Sequence, residues 1–600
     1  KEATDILSKA NGKAVAIAGG TDLLGVLKDK IHAQSPDVLV DLKTIPDLCY
    51  VKTTKKGIHI GALTTLTEIC KNDTIKKQYG LLAQAALSVA SPQLRNMGTL
   101  GGNICQEPRC WYYRAPDDIF HCLRKGGTKC GALLGDNRYH SIFGSVRVAK
   151  PACSETCPGS VEIPAYMDFV RNGDMDSAAL ILLANNPIPS ITGRICPHLC
   201  ESQCNRSEFD GAVSIRNVER VVGDYILDNA AELLAPPQKE LKQSVAIIGA
   251  GPAGLSAAYF LRKAGYKVTV YEKMPQAGGM LTYGIPADRL AKDVIQRQIN
   301  AFEAMGIEFK FNTTVGENGI TLTDLRKKFE NVFLASGAWG ERTLAMEKAE
   351  LLTPGIDFLA AMGLGEKPAI GKKVLVIGGG NVAVDVAVTA SRLGAEQVTM
   401  VCLESRDTMP AFEEEITEAL HEGVTIQPSF GPHRIIEENG SLTGLEVVSC
   451  TSVFDENGLF NPSFDTSVKQ TIEADQIILA IGQSTDISYA GDEVKNNNGW
   501  IVIDEKTRAT NLKGVYAGGD VTSGPASVIH AVAAGRETAY SIANIRPESN
   551  MPMGQSLAVH FESHSKCSRT QDIKGIDDIR SEAERCVNCA CIAVNASDMA

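Results

Sequence analysis

Two glycine-rich stretches of this chain have the residue types and spacing to hold a pyrophosphate. The first runs Val245-Ala-Ile-Ile-Gly249-Ala-Gly251-Pro252-Ala253-Gly254, and the second runs Val374-Leu-Val-Ile-Gly378-Gly379-Gly380-Asn381-Val382-Ala383. Each reads as an apolar strand, a tight turn and a helix start, which turns backbone N–H groups and the positive helix end toward an anion. Glu272 closes the next apolar run, Val268-Thr-Val-Tyr, 18 residues after Gly254. A carboxylate there can accept from ribose hydroxyls. One such match is weak, and two ordinary α/β domains with glycine turns would also supply the pattern. Two in tandem, with Tyr516-Ala-Gly518-Gly519-Asp520 returning downstream, argue for a flavin fold with a nicotinamide-nucleotide fold inserted into it.

The cysteines are the second chemical signal. Of 17, 12 fall into short-spaced groups: Cys105, Cys110, Cys122 and Cys130; Cys153 and Cys157 with Cys196, Cys200 and Cys204; and Cys586, Cys589 and Cys591. In a secreted chain they would suggest disulfides, but dinucleotide folds work in the reducing cytoplasm. Clustered thiolates in a cytoplasmic redox protein favour iron–sulfur ligation over zinc. Cysteines four apart share one face of a turn, so Cys196, Cys200 and Cys204 can converge with Cys157 on one [4Fe–4S] cluster; zinc on the same four thiolates is the alternative.

The elements that must position these groups follow from length and pattern. Six hundred residues, 44% hydrophobic and 22% charged, suit several soluble globular domains. A net charge of −12 gives no basic surplus for nucleic acid. No apolar span approaches about 20 residues, so no transmembrane helix is expected, and no secretory leader is read at the start. The expected fold is multidomain α/β. Residues 1–149 form an α+β unit, 150–235 a cysteine-bearing helical domain, and Ala235-Pro-Pro-Gln a linker. Residues 244–350 with 471–545 make one doubly wound fold and 351–470 a second inserted in it. The tail, 550–600, is expected to be cysteine-bearing and poor in helix.

Between the fingerprints lies Gly278-Gly279-Met280-Leu281-Thr-Tyr-Gly-Ile-Pro286, a loop suited to cover a flavin. Gly519-Asp520 precedes Gly524-Pro525-Ala526 and a helix through His530 and Arg536, whose N-terminus would favour the negative charge of a reduced flavin. With Met409-Pro410-Ala411, these segments resemble the small, β subunit of bacterial glutamate synthase and the matching region of dihydropyrimidine dehydrogenase. The resemblance covers residues 150–545 and implies FAD in the first fold, a nicotinamide nucleotide in the second and hydride transfer between them. Relatives that use NADPH carry two arginines where this chain reads Leu403-Glu404-Ser405-Arg406. A carboxylate repels a 2′-phosphate and accepts from a free 2′-hydroxyl, so NADH is expected, with Arg406 able to swing toward a phosphate and Glu404 as a solvated loop acid the plainer reading.

The same resemblance extends to the helical domain, through Val161-Glu-Ile-Pro-Ala-Tyr and Ile191-Thr-Gly-Arg-Ile-Cys196-Pro. That family carries a second cluster whose early Cys-x-x-Cys pair is missing before Cys153; Cys586-Val-Asn-Cys589-Ala-Cys591 is similar to that element moved downstream. Cys153, Cys586, Cys589 and Cys591 are therefore expected to hold it. Unligated tail thiols are the alternative.

Ala18-Gly19-Gly20-Thr21-Asp22-Leu23 and Gly98-Thr99-Leu-Gly101-Gly102-Asn103 resemble the FAD-binding domain of the xanthine dehydrogenase and carbon monoxide dehydrogenase flavoproteins. Two such turns supply N–H donors to a pyrophosphate without a Rossmann helix. The cysteines that follow, with Arg109-Cys-Trp-Tyr-Tyr, resemble the 4-hydroxybenzoyl-CoA reductase branch, which implies a further [4Fe–4S] cluster at Cys105, Cys110, Cys122 and Cys130. Ile592-Ala-Val-Asn resembles the strand after the Gly-Gly-Asn element. The glutamate-synthase-like module would then be inserted within the flavoprotein domain, and the sequence would stop before that domain's remainder.

Together these readings imply a cytoplasmic electron-transfer subunit with two FAD sites, about three [4Fe–4S] clusters and one NAD(H) site. No catalytic acid–base pair is required. Its expected partners are the [2Fe–2S] and molybdenum-cofactor subunits of a hydroxylase. The alternatives are a glutamate-synthase-type NAD(P)H-oxidising subunit feeding an amidotransferase, and a non-catalytic iron–sulfur scaffold.

Overall fold

A computed structural model of the chain describes residues 1–10, 12–32, 34–54, 57–122, 125, 146–149, 151–207, 210–316, 319–545, 569–570, 573–586 and 591–593. They fall into two units: one within 1–151 and 591–593, the other within 152–545 and 569–586.

The larger unit is built on two five-stranded parallel sheets. In the first, the strand Ser244–Ile248 lies between Lys267–Tyr271 and Asn331–Leu334, with Glu308–Lys310 and Val515–Ala517 at the edges. Its residues beyond Ser244 are buried, as a strand covered on both faces requires. The second sheet repeats the plan. Lys373–Ile377 lies between Gln397–Val401 and Gln476–Leu479, with Thr425–Gln427 and Thr353–Pro354 outside. In both, chain direction across the sheet reverses beside the first strand, where such folds leave a crevice at the strands' carboxyl ends.

The second sheet is an insertion. The chain leaves the first sheet after Leu334 and returns at Val515, and the strands bounding the excursion pair with each other, Val332 beside Val515. The two crossing segments also pair, Gly340–Glu341 against Gln483–Ser484. An antiparallel three-stranded sheet, Phe430–Glu438, Ser441–Phe454 and Phe460–Glu473, packs Ile435, Leu445, Val447 and Ile472 on the second sheet's Leu375 and Ile377.

Residues 152–233 are helical, with Ile163–Arg171, Met175–Leu183, Pro189–Ile195 and Ile215–Asp228 around a core of Tyr166, Met167, Leu182, Ile191 and Val222. The tail differs from its helix-poor expectation: Ile576–Glu584 is a helix. Ile579 and Ala583 recur at helical spacing and are buried, so the short amphipathic stretch folds on the helical layer it covers. Its C-terminal turn is held by charge. Glu582 is fully buried and accepts from Ser214 N at 2.8 Å, Thr570 N at 2.8 Å and Arg585 at 2.6 Å. Arg585 also donates to Ala212 O and Gly211 O, while Arg206 donates to Arg585 O at 2.6 Å and to Asp210.

The smaller unit carries a parallel pair, Ala14–Ile17 with Val38–Asp41, a hairpin of Val51–Thr54 and Gly57–Ile60, and five short helices between Leu66 and Ile104. The strand Cys591–Ala593 pairs antiparallel with Val146–Ala149, Ile592 beside Arg147.

Removing one partner of a buried, hydrogen-bonded ion pair leaves the other charge uncompensated. Glu582→Ala is therefore expected to destabilise the helical layer by about 3–5 kcal/mol, read as a lower midpoint of its unfolding transition in urea.

Candidate functional site

At the end of the first central strand the chain turns at Gly249 with φ +102°, and a β-carbon there would stand 2.4 Å from Ala335 O. Only glycine permits this crossing. A β-carbon on Gly254 would meet Gly249 O at 2.0 Å, so the turn and the helix Pro252–Lys263 close tightly. Gly251 differs: a β-carbon on it would meet nothing within 4 Å. The loop is thus open on the side of the helix's first turn, where Ala253 and Gly254 lie and N–H groups lack intrahelical partners. Gly279 caps the short helix Met280–Tyr283 and backs onto Gly251, and Leu281 is buried. Gly519 stands against Ala253, with Asp520 next to it at the start of a helical turn.

Glu272 lies at this loop. Its carboxylate accepts from Ala250 N at 2.8 Å and Met274 N at 2.9 Å. Burial raises its pKa despite those donors. Each oxygen keeps a further lone pair for a hydroxyl. Burial also raises Asp520 to about 6, against the pull of the Ala526 N–H. Open glycine turn, free helix end and buried strand-end carboxylate together fit an FAD.

The second loop has the same construction. A β-carbon on Gly378 would meet Ala480 O at 2.2 Å, and Gly380 faces open space at the start of the helix Asn381–Arg392, whose second residue is Val382. Asn381 accepts from Phe412 N at 3.0 Å and Gly379 O from Ala411 N at 3.1 Å, so Met409-Pro410-Ala411 is tied to the glycine turn. Glu404 folds over this loop, its Oε2 2.9 Å from where a Gly379 β-carbon would be. Arg406 is engaged elsewhere, giving two hydrogen bonds to Glu413 at 3.0 and 2.6 Å.

Cys157, Cys196 and Cys200 lie in the helical layer. Cys157 follows the helix Ala152–Thr156, Cys196 caps Pro189–Ile195, and Cys200 lies in Leu199–Ser202. Burial pushes Cys196 up to about 12 and Cys200 higher, and the charges bearing most on both are Glu219 and Cys157. Sequence reading missed Glu219, which sits mid-helix in Ile215–Asp228 with no motif around it. Its Oε1 accepts from Thr192 at 2.5 Å and Asn186 at 3.0 Å, and burial raises its pKa to about 7. Among the described residues no three such side chains stand in closed metal-ligand geometry. Three desolvated thiols, each pushed up first by burial and further by the Glu219 charge, nevertheless fit a cationic iron core, which relieves that cost. The Cys157 loop rests on the flavin fold: Arg536 of the helix Val528–Ala543 donates to Gly159 O and Asn185 O.

Cys153 is buried in the same core, with Cys204 and Cys586 packed against it; Arg171 donates to Cys586 O. Cys130 and Cys589 lie outside the described residues, and Cys591 is described only as part of its strand.

In the smaller unit the two glycine segments meet. Ala18 to Leu23 connect the strand Ala14–Ile17 to the helix Leu23–Lys28. A β-carbon on Gly19 would stand 2.1 Å from Met97 O, and Thr21 Oγ1 would lie 3.5 Å from one on Gly98. Thr99 Oγ1 accepts from Gly102 N at 3.1 Å, capping the helix Leu100–Ile104 that contains Gly101 and Asn103. Asp22 accepts from Glu107 N at 2.8 Å and from Arg109 and Arg114, both at 2.7 Å. Burial would raise its pKa, but these donors hold it below the ordinary carboxylate range. Cys110 and Cys122 are buried with Val26, Ile31 and Tyr113, whereas Cys105 is exposed.

This geometry defines a pyridine-nucleotide oxidoreductase with flavin and iron–sulfur domains. A family model described as pyridine nucleotide-disulphide oxidoreductase matches residues 243–535, the dihydropyrimidine dehydrogenase domain II, 4Fe-4S cluster, matches 145–231, and the FAD binding domain in molybdopterin dehydrogenase matches 1–124. The NADPH-Fe(3+) oxidoreductase subunit beta of Geobacter sulfurreducens is 33% identical over 513 residues, 74% of this chain and 76% of that protein. The glutamate synthase [NADPH] small chain of Azospirillum brasilense is 34% identical over 414 residues, 65% of this chain and 86% of that one. The NADP(+)-dependent formate dehydrogenase subunit beta of Moorella thermoacetica is 35% identical over 418 residues, 65% of this chain and 59% of that one. The chain belongs to the glutamate synthase small-chain family of electron-transferring FAD and iron–sulfur oxidoreductases, and it also carries a molybdopterin-dehydrogenase-type FAD-binding domain. Among the described residues no helix is long and apolar enough to cross a membrane.

Cys200→Ser is expected to lower iron and acid-labile sulfide by about four atoms each per chain, one cluster, with FAD content unchanged; metal analysis beside the flavin absorbance reads both.

Proposed function

We propose that this chain carries electrons between NADH and a partner redox enzyme, a hydroxylase with [2Fe–2S] and molybdenum-cofactor subunits, using two FAD sites and about three [4Fe–4S] clusters. An FAD held at Gly249, Gly251, Gly254 and Glu272 would supply the conversion of a hydride into single electrons, the form in which iron–sulfur clusters could carry them onward. The observation that carries the reading is the placement of three sites in one unit. Two open glycine loops end parallel sheets joined by the Gly340–Glu341 and Gln483–Ser484 ribbon, and the Cys157 loop is seated on the first fold's helix Val528–Ala543.

The residues divide the work. Gly249, Gly251, Ala253, Gly254 and Gly279 admit the flavin nucleotide, Glu272 accepts from its ribose, and Asp520 and Ala526 lie at the turn leading into the helix Val528–Ala543. Gly378, Gly379, Gly380 and Asn381 admit the nicotinamide nucleotide. Cys157, Cys196, Cys200 and Cys204 hold one cluster; Cys153, Cys586, Cys589 and Cys591 hold a second; Cys105, Cys110, Cys122 and Cys130 hold a third. The joined turns at Gly19 to Asp22 and Thr99 to Asn103 hold the second FAD. The relatives are named for NADPH or NADP(+). For this chain, the Glu404 carboxylate over Gly379 and the engagement of Arg406 by Glu413 support NADH.

Anaerobic titration of cofactor-replete protein with NADH should bleach the visible spectrum with uptake of several electrons, up to about seven for two flavins and three one-electron clusters. Saturation near two would leave a single working flavin, and no bleaching with either nucleotide would leave a scaffold. Glu404→Arg should shift the kcat/KM ratio toward NADPH by about tenfold or more, equivalent to about 1.4 kcal/mol.

A further inference from the structure

Arg289 follows directly on the loop Gly278–Pro286 of the flavin fold, in a turn closed by Arg289 N and Leu290 N onto Pro286 O. Its guanidinium leaves that fold. Nη1 donates to Asp385 Oδ1 at 2.6 Å and Nη2 to Glu415 Oε1. Asp385 lies in the helix Asn381–Arg392, which starts at the second glycine loop. Glu415 lies in the first turn of Glu413–His421, the helix that follows Met409-Pro410-Ala411. One rigid fork thus ties the two elements flanking the nicotinamide-nucleotide loop to the segment covering the flavin loop.

The surroundings show that the fork is needed. Both carboxylates are about nine-tenths buried, and burial raises the pKa of each against the pull of Arg289. Glu415 Oε2 has no hydrogen-bond partner. The other charges at this joint are committed: Arg392 to Asp288, Glu418 and Glu422, and Lys292 to Leu281 O at 3.1 Å and Ile285 O at 2.5 Å. Lys292 therefore pins the same flavin-side loop from within its own fold. The backbone joint between the folds is slight, a ribbon of two residues on each strand.

We propose that Arg289 is a positioning residue for hydride transfer: by bridging Asp385 and Glu415 it sets the nicotinamide fold against the flavin fold. The proposal rests on the NADH-to-flavin reading above. Hydride transfer requires the reacting atoms about 3–3.5 Å apart, and a misplacement of about 1 Å costs roughly 100-fold in rate. An interdomain fork controls that distance without touching either nucleotide. A lysine, a point charge on a flexible stem, cannot grip two carboxylates in fixed directions.

The test is stopped-flow reduction of the FAD in full-length, cofactor-replete protein by NADH, with NADPH in parallel and thermal midpoints measured alongside. Three forms are compared: wild type, Arg289→Gln, and the neutral triple variant Arg289→Gln/Asp385→Asn/Glu415→Gln. The single variant should lose thermal stability and at least tenfold in limiting rate, with half-saturation by NADH changed less than threefold. The triple variant, free of stranded charge, should regain the thermal midpoint but not the rate. A triple variant with wild-type limiting rate would reduce Arg289 to charge balance and overturn the proposal, as would a loss confined to nucleotide affinity. Should Arg289→Gln lose its flavin, the triple variant alone decides. Failure of wild-type flavin to bleach with either nucleotide would overturn the redox reading itself, and the proposal with it.

Discussion

The carbonyl of Ala335 occupies the place where any residue but glycine at position 249 would put its β-carbon, and Ala480 does the same to Gly378. The rest of the larger unit depends on this crossing. Because the first strand's turn passes so close under its neighbour's end, the following helix starts immediately, and its first-turn N–H groups face the crevice at the sheet's carboxyl edge. Gly251 and Gly380, one step on, face open space, so the same turn that is closed to side chains on its inner face is open to a ligand on its outer one. The chain makes this arrangement twice and nests one copy within the other, which places two nucleotide loops in one unit.

Where segments distant in sequence must meet, buried and hydrogen-bonded charges hold them. Arg536 joins the Cys157 loop to the flavin fold, and Arg206, Glu582 and Arg585 seat the tail helix on the helical layer. Arg289 joins the two nucleotide folds. A buried charge is tolerated only when its hydrogen bonds are satisfied, so each joint is specific in a way that an apolar contact of the same area would not be. An arginine fork also fixes direction as well as distance.

Glu219 shows how a site can be hidden from sequence. Its neighbours in the chain, Val218 and Arg220, carry no signature, and its spacing from Cys157, Cys196 and Cys200 follows no short motif. Its carboxylate is buried against Thr192 and Asn186 because the helix Ile215–Asp228 packs across Pro189–Ile195, where Gly193 comes within 2.5 Å of Arg220 backbone through a would-be β-carbon. The tail helix was hidden for a related reason. Nine residues with a single apolar stripe are marginal alone, and the stripe becomes decisive only against the surface that buries it.

The sequence by itself determined what depends on local backbone geometry: both glycine turns, the strand–turn–helix order, the inserted arrangement implied by the returning Gly518-Gly519-Asp520, and the cysteine-rich helical region. These are legible because a positive φ or a close carbonyl admits almost only glycine, and because strand and helix periods are written in neighbouring residues. Tertiary structure alone decided which side chains share a site. It folded Glu404 over Gly379, turned Arg406 to Glu413, saturated Asp22 with Arg109 and Arg114, and buried Glu219 against Thr192 and Asn186. Those outcomes turn on hydrogen bonds and desolvation between residues up to tens of positions apart, and burial, which sets both, is a property of the packed chain and not of any stretch of it.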